Sequence, residues 1–174
     1  MKVKEFSSER ILFCFPKPED ANAFYENIDW SVIKNISGAP WPFMLDHAKS
    51  FIADAEKDRN NNICYEFLLK DKTTNQFIGI ASLNVNVSGE PSGQIGYWIT
   101  KACRGKGYAF EAVSGIIKLA KSLKLPKVWA SARSDNSPSV NLLKKMGMVF
   151  SEERIGIYES KEMSEVIYEL NLSE

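Results

Sequence analysis

Two glycines and two basic residues stand close together between Arg104 and Ala109, and these residue types suit the binding of phosphate. The segment reads Arg-Gly-Lys-Gly-Tyr-Ala. Gly105 and Gly107 let the main chain turn tightly and approach a ligand without a Cβ in the way. The helix expected after this segment would present its first N–H groups there, beside the charges of Arg104 and Lys106. The segment therefore predicts a phosphate-binding turn, and a plain helix-initiating turn is the alternative.

The other chemistry-bearing residues exclude several classes of site. The turn is neither a P-loop nor a dinucleotide fingerprint, because it lacks G-x-x-x-x-G-K-[ST] and a third glycine. Cys14, Cys64 and Cys103 lie 50 and 39 residues apart, which gives no C-x-x-C motif, so we expect three buried thiols. His47 is the only histidine, and we expect it at a helix start or on the surface. No metal site is predicted.

The composition is that of an ordinary globular protein. The 174 residues are 44% hydrophobic and 25% charged, which predicts one domain over residues 1–174, since domains average roughly 150 residues. The 22 basic residues balance the 22 acidic ones, so no overall field would hold nucleic acid or an anionic membrane. Neither a membrane span nor a signal peptide is recognisable. We therefore expect a soluble cytoplasmic protein.

Hydrophobic spacing and turn residues predict how these groups are positioned. Val113, Ile116, Ala120 and Leu123 are spaced 3, 4 and 3 residues apart, which marks an amphipathic helix directly after the phosphate-binding turn. The predicted order of elements is β-α-α-β-β-β-α-β-α-β-β. Strands are expected at 10–15, 63–69, 77–87, 94–100, 127–133, 148–157 and 165–172, and helices at about 21–28, from 46, at 107–124 and at 137–147. Residues 30–45 are expected to be irregular.

Several motifs around the turn resemble the RimJ/RimL branch of the GNAT N-acetyltransferases. The pattern of that branch is G-Y-W, G-K-G-Y-A-x-E-A, N-x-x-S and K-x-G-F. The chain has Gly96-Tyr97-Trp98, the run from Gly105 to Ala112, Asn136 to Ser139, and Lys145 to Met148. The resemblance extends from about residue 10 to residue 172. It implies a single-domain α/β (α+β) fold with a mixed, mostly antiparallel central sheet of about seven strands and helices on both faces.

The resemblance also implies acetyl-CoA as co-substrate and gives roles to individual residues. In this family the strand before the turn splays from its parallel neighbour, and pantetheine fills the wedge between them. The residues implied to bind the coenzyme are Trp98, Ile99 and Thr100 through the main chain, Arg104, Gly105, Lys106, Gly107, Tyr108 and Ala109 at the pyrophosphate, and Asn136 near the pantetheine arm. Packing in the core is the alternative role for the strand side chains.

The implied reaction is the attack of a neutral amine on the acetyl thioester, with the oxyanion held by a main-chain N–H near Tyr97. Many GNAT enzymes use a tyrosine to protonate the departing thiolate, but the corresponding position here is Leu143. Ser139 is then the expected acid, and Tyr158 is the fallback. Local hydrogen bonding at the helix start is the alternative role for Ser139.

The general base stays open in the sequence. Gln94 stands where relatives often carry a glutamate, and Glu90 lies nearby in a predicted turn. An ordered water or an already neutral amine would also suffice, because holding the two substrates together supplies much of the acceleration.

Charge and aromatic residues bear on the acceptor. Residues 101–127 have seven basic residues and one acidic residue, net +6, which suits a coenzyme with phosphates. Residues 151–174 have seven acidic and two basic residues, net −5, and form either an acidic mouth for a cationic amine or a solvated tail. The irregular segment carries Trp30, Trp41, Phe43 and Met44, which either line the acceptor entrance or anchor the first helices.

Three functions are compatible with these observations. The leading one is acetyl-CoA-dependent N-acetylation of a protein N-terminus. The second is the same chemistry on a small amine, such as a polyamine, an amino acid or an aminoglycoside. The third is a non-catalytic acyl-CoA-binding module, which the missing tyrosine and glutamate keep open. We expect a monomer or homodimer with no nucleic-acid or membrane partner.

Overall fold

The computed structural model describes residues 3–85, 89 and 91–173, and within these residues eight strands form one sheet. The strands are β1 (Phe6–Ser7), β2 (Ile11–Cys14), β3 (Cys64–Asp71), β4 (Phe77–Val85), β5 (Gly93–Ile99), β6 (Lys127–Arg133), β7 (Val149–Tyr158) and β8 (Lys161–Asn171). Their order across the sheet is β1-β2-β3-β4-β5-β6-β8-β7. Every neighbouring pair is antiparallel except β5 and β6, which are parallel. The predicted mixed, mostly antiparallel sheet is confirmed, with one strand more than expected.

Five helices accompany the sheet in the described residues. They are α1 (Ala21–Asn27), α2 (Trp30–Ile33), α3 (Leu45–Asn60), α4 (Tyr108–Ser122) and α5 (Ser137–Lys145), with 3-10 turns at Pro18–Asp20 and Lys101–Cys103. The apolar stripe of α4 forms the expected buried face, with Val113, Ile116 and Ala120 fully buried. At the start of α3 the main-chain N–H of Met44 donates to Nδ1 of His47 at 3.0 Å, which confirms a helix-start histidine.

The two faces of the sheet have separate hydrophobic cores, because alternate residues of a strand point to opposite sides. On the face covered by α4 and α5, Phe67 packs in one cluster with Val113 and Leu143. On the opposite face, Leu68 packs with Phe24 of α1 in a smaller cluster. We call these the α4 face and the α1 face. The site described below has the α4 face on one side and the α1 face on the other.

The predicted order of the longer elements is confirmed, and two short elements were not predicted. β1 has only two residues, and α2 is a single turn inside the segment that was expected to be irregular. The strand predicted at 77–87 is observed to Val85, and residues 86–88 lie outside the described part of the chain.

Candidate active site

β5 and β6 pair over only two positions and then separate. The paired residues are Gly93 with Val128 and Gln94 with Trp129. Beyond Gln94, β5 continues to Ile99 with β4 as its only strand partner among the described residues. An open wedge therefore lies between the carboxyl-terminal half of β5 and β6, with main-chain groups of β5 along one side.

The hydrogen bonds to β4 determine which main-chain groups of β5 face this wedge. The N–H of Thr100 donates to the carbonyl of Ile78 at 2.8 Å, so Thr100 and, by alternation along the strand, Trp98 direct their main-chain groups toward β4. Tyr97 and Ile99 direct theirs into the wedge. This corrects the expectation that main-chain groups of Trp98 and Thr100 pair with the pantetheine amides. Of the three strand residues expected to do so, Ile99 faces the wedge, and Tyr97 is the second residue that does.

The side chains of Trp98 and Thr100 lie on the α1 face. The Trp98 ring stacks on Phe24 of α1 at 5.7 Å and meets Phe77 edge-on at the same distance. The Trp98 side chain thus anchors α1, which is the packing role that the sequence left open. The Thr100 hydroxyl is buried and has no hydrogen-bond partner among the described residues.

The predicted phosphate-binding turn, Arg104 to Ala109, has the backbone geometry that its glycines predict. Gly105 and Gly107 have φ angles of +74° and +82°, in the left-handed region where side chains are disfavoured. Gly107 is the N-cap of α4, so the first N–H groups of the helix point out of this turn. Lys106 is exposed beside it, and Ala109 lies half-buried in the first helical turn.

A partly buried carboxylate holds the turn against the amino-terminal strands. Glu111 accepts hydrogen bonds from Ser8 Oγ and from both the N–H and Nε of Arg10, each at 2.7 Å. These bonds outweigh the effect of burial and hold the pKa of Glu111 below its usual value. Arg10 also donates through a terminal guanidinium nitrogen to the carbonyl of Lys106 at 2.9 Å. Arg10 therefore connects β2 to the turn, which sequence spacing does not reveal.

Two side chains of the turn point away from its N–H groups. Nε of Arg104 donates to the carbonyl of Ile99 at 3.1 Å, so its guanidinium closes the end of β5. The Tyr108 hydroxyl donates to Asp71 at 2.8 Å. Hydrogen bonds from Thr74, Tyr108 and Thr73 lower the pKa of Asp71 to about 2. Arg104 and Tyr108 thus connect the turn to β5 and β3, and its main-chain N–H groups and Lys106 are further donors.

Asn136 and Ser139 lie at the start of α5, on the other side of the wedge from β5. Asn136 is the N-cap, and its side chain accepts from the Ser139 N–H at 3.5 Å. The Ser139 hydroxyl lies 2.6 Å from the hydroxyl of Tyr97, so a hydrogen bond joins α5 to β5. Leu143, where many GNAT enzymes have tyrosine, is fully buried in the core. Ser139 is thus the residue of α5 that presents a hydroxyl toward β5.

Tyr158, the fallback acid, is committed elsewhere. It is 2% exposed and donates to Glu165 at 2.8 Å. Tyr168 belongs to the core of the α4 face, so Glu165, three residues earlier on β8, points to the α1 face. Burial and the Glu165 carboxylate raise the pKa of Tyr158 well above its usual value. The structure therefore places Tyr158 and Ser139 on opposite faces of the sheet, and it corrects the expectation that either could serve the same sulfur.

The acidic carboxyl-terminal hairpin is partly neutralised. Glu165 pairs with Arg154 at 2.8 Å, Glu159 with Arg133 at 3.5 Å, and Glu169 with Lys127 at 3.6 Å. These pairs use three of the seven acidic residues behind the net charge of −5. The hairpin is thus less acidic as a surface than its sequence suggests.

The aromatic residues of the α1–α3 segment divide between the two roles that the sequence left open. Phe43 packs on Phe24 at 5.4 Å and joins the core of the α1 face. Trp30 and Trp41 contact each other at 5.0 Å and, with Met44, are exposed. The exposed three form an apolar rim beside α1.

Other chemistry-bearing residues add no second centre in the described residues. Cys64 and Cys103 are buried free thiols, as expected, whereas Cys14 is only half-buried. Within the residues that the structure describes, no three His, Cys, Asp or Glu side chains form a group that could hold a metal ion. Glu90, considered as a base, lies outside the described residues.

The sequence matches the Acetyltransferase (GNAT) domain family over residues 10–149. The chain belongs to this family. It is an acetyl-CoA-dependent acyltransferase with the family's α/β fold, as the resemblance of its motifs implied.

Solved structures share this fold over nearly the whole chain. A ribosomal-protein-S5-alanine acetyltransferase from Vibrio fischeri is 18% identical, with 97% of both chains covered and a TM-score of 0.83. Mycobacterium smegmatis RimJ, in complex with a CoA-disulfide, is 17% identical, with 93% of this chain and 82% of that chain covered and a TM-score of 0.83. The microcin C7 self-immunity acetyltransferase MccE, in complex with acetyl-CoA and AMP, is 19% identical, with 95% and 94% covered and a TM-score of 0.84.

No curated protein matches the sequence. In the part of the chain that the structure describes, no helix has both the length and the apolar character needed to cross a membrane.

Proposed function

We propose that this GNAT enzyme transfers the acetyl group of acetyl-CoA to a primary amine, and that the amine is the N-terminal α-amine of a protein. The observation that carries the proposal is the wedge between β5 and β6, which opens directly beside the glycine turn at the start of α4. A wedge with free strand groups suits the two amides of a pantetheine arm, and the turn suits its pyrophosphate.

The residues around the wedge fit acetyl-CoA, which supplies an activated acetyl thioester. Tyr97 offers its carbonyl and Ile99 its N–H to pantetheine, since the Ile99 carbonyl already accepts from Arg104 Nε. The space where a Cβ would lie is open at Gly105, and at Gly107 only the Arg10 side chain lies near it. The first N–H groups of α4 therefore face open space that suits a phosphate. Lys106 adds a positive charge, and Asn136 stands at the far side of the wedge.

The same residues account for the transfer step. A neutral amine attacks the thioester carbon, and the developing oxyanion takes a hydrogen bond from the Tyr97 N–H, which faces the wedge. The C–S bond breaks as the C–N bond forms, and the sulfur receives a proton from Ser139 Oγ. The attacking nitrogen loses its extra proton to water, since Gln94 is not a base. Proximity supplies much of the acceleration.

The acceptor side favours a peptide over a small polycation. Three acidic side chains of the hairpin, Glu159, Glu165 and Glu169, are already paired with basic residues, so the hairpin offers less free charge to a polyamine than its sequence suggests. The rim of Trp30, Trp41 and Met44 gives exposed apolar surface, which suits the first side chains of a peptide. The family relatives named for ribosomal proteins support the same class. The free thiols fit a reducing compartment, and we place the enzyme in the cytoplasm.

The test is thiol release from acetyl-CoA with a panel of acceptors. The panel contains peptides with different first residues, the same peptides with blocked N-termini, and small amines that include a polyamine, an amino acid and an aminoglycoside. We expect turnover with free N-terminal peptides and none with blocked ones, with the acetyl group located by mass spectrometry. Turnover with the small amines and none with the peptides would show that the acceptor is a small amine and not a protein N-terminus.

A further inference from the structure

The hydroxyl pair formed by Tyr97 and Ser139 spans the wedge. Tyr97 belongs to β5 and Ser139 to α5, which follows β6, and their oxygens are 2.6 Å apart. Such a bond uses one of the two hydroxyl protons and leaves the other free to point elsewhere. The pair therefore can accept a proton at one end and donate one at the other.

Tyr97 is a better proton source than Ser139 alone. A phenol loses its proton with a pKa of about 10, close to the roughly 8.5 of a thiol, whereas an aliphatic hydroxyl is a far weaker acid. Burial raises the pKa of Tyr97 above its usual value, so the phenol keeps its proton at neutral pH. The tyrosine that many relatives use is replaced by the buried Leu143, so α5 supplies no phenol at that position.

We infer that Tyr97 is the proton source of the site. Tyr97 acts through Ser139 and does not touch the sulfur, so it is a positioning residue. The inference rests on the proposed function. As the C–S bond breaks and its electron pair moves to sulfur, Ser139 gives its proton to the sulfur and takes the Tyr97 proton. The negative charge then rests on the phenolate, which regains a proton from water. Free CoA thiol, the acetylated amine and the resting hydroxyl pair are the products of the cycle.

The first test compares Tyr97→Phe, Ser139→Ala and the double variant under saturating acetyl-CoA. Each single change should lower kcat about 10- to 100-fold, with the affinity for acetyl-CoA within about twofold of wild type, because the proton moves only in the transition state. The double variant should be no slower than the slower single variant, since both changes break one relay. Tyr65→Phe is the matched control, because it removes another buried tyrosine hydroxyl, bonded to Asn62 in a turn. It should keep wild-type kcat.

A second test keeps the ring and the hydroxyl in place. Replacing Tyr97 by difluorotyrosine makes the phenol more acidic without removing the contact to Ser139. The relay predicts that kcat falls at alkaline pH, where Tyr97 loses its proton. In the fluorinated protein this fall should move to lower pH, which a purely structural role would not cause.

The outcomes separate the relay from the role of Ser139. Wild-type kcat in Tyr97→Phe beside a slow Ser139→Ala overturns the relay and leaves the proposed function intact. Multiplying effects in the double variant, or an unchanged pH profile of the fluorinated protein, also overturn it. A wild-type kcat in Ser139→Ala would show that Ser139 does not protonate the thiolate. That result overturns both this step of the proposed function and the relay.

Discussion

Thr100 carries a buried hydroxyl that has no hydrogen-bond partner among the described residues. A buried polar group without a partner costs about 1–3 kcal/mol. Thr100→Val replaces the hydroxyl by a methyl group of similar size, so we expect the free energy of unfolding to rise by about 1 kcal/mol in chemical denaturation. Thr73→Val, at an exposed turn position, should leave it unchanged. An unchanged or lower stability of Thr100→Val would show that the hydroxyl has a partner in solution.

Gly107 combines a left-handed backbone with a position at the start of α4. A Cβ there would strain the main chain and lie 3.3 Å from the Arg10 guanidinium, which holds the turn. We expect Gly107→Ala to lose about 1 kcal/mol of stability and at least tenfold in acetyl-CoA affinity by calorimetry.

Gly147 provides the matched control for Gly107. Its φ of +78° imposes the same backbone strain, but a Cβ there would meet open space, at the end of α5 away from the turn. Gly147→Ala should lose similar stability and keep its affinity for acetyl-CoA. Equal affinities in the two variants would place the phosphate elsewhere.

At the scale of elements, the segment between α1 and α3 combines an anchor and a rim. Trp41 is 54% exposed, whereas Phe43 packs on Phe24 in the core. We expect Trp41→Ala to raise the KM for a peptide acceptor several-fold with an unchanged melting temperature. Phe43→Ala should lower the melting temperature and leave the KM of the folded enzyme near wild type, because a core contact is lost. The reverse pattern would exchange the two roles.

Elements with a long periodic pattern were predictable, and short ones were not. The stripe of α4 identified a helix because four apolar residues repeat on one face, and β6 was predicted over the observed residues Lys127–Arg133. β1 has two residues and α2 four, which is too short for any period to emerge. These two elements form only because the chain around them is already folded.

The candidate site shows the same limit for contacts between distant residues. The glycine turn was predictable because its residues are adjacent and its chemistry is local. The contact of Tyr97 with Ser139 joins residues 42 positions apart, and the contact of Arg10 with Glu111 joins residues 101 apart. The motif residue Tyr97 was visible in the sequence, but its hydroxyl partner depends on how far β5 and α5 diverge. The position of Tyr158 was not predictable for the same reason, since the face it occupies follows from the register of β7 and β8.

For the molecule as a whole, the site depends on one parallel pair in an otherwise antiparallel sheet. A parallel connection needs a crossover, here α4, which begins just after the carboxyl end of β5. The wedge beyond Gln94 and the amino-terminal end of α4 are therefore neighbours by topology. The pantetheine arm and the phosphates need sites at about that separation, so one crossover positions both.

The stability of the whole molecule depends on pH through a half-buried carboxyl group on the α1 face. Glu66 lies on β3 opposite Ser82, and no basic residue pairs with it among the described residues. The Cys64 thiol donates a hydrogen bond to the Glu66 carboxyl group at 3.5 Å. Burial raises the pKa of Glu66 to about 7, and the nearby Asp58 carboxylate adds to the shift. The folded protein therefore keeps a proton on Glu66 at pH values where the unfolded chain has lost it.

This difference makes stability depend on pH in a defined direction. Between about pH 4.3, where an unfolded glutamate titrates, and pH 7, the folded state binds more protons, so the free energy of unfolding falls as pH rises. Glu66→Gln, which resembles the protonated form, should match wild type at about pH 4 and exceed it by roughly 1–3 kcal/mol at pH 8 in urea denaturation. Glu162→Gln, at an exposed carboxylate of β8, is the control and should show no such divergence. If Glu66→Gln is no more stable than wild type at pH 8, the carboxylate is stabilised in the fold by a group that binds its charged form.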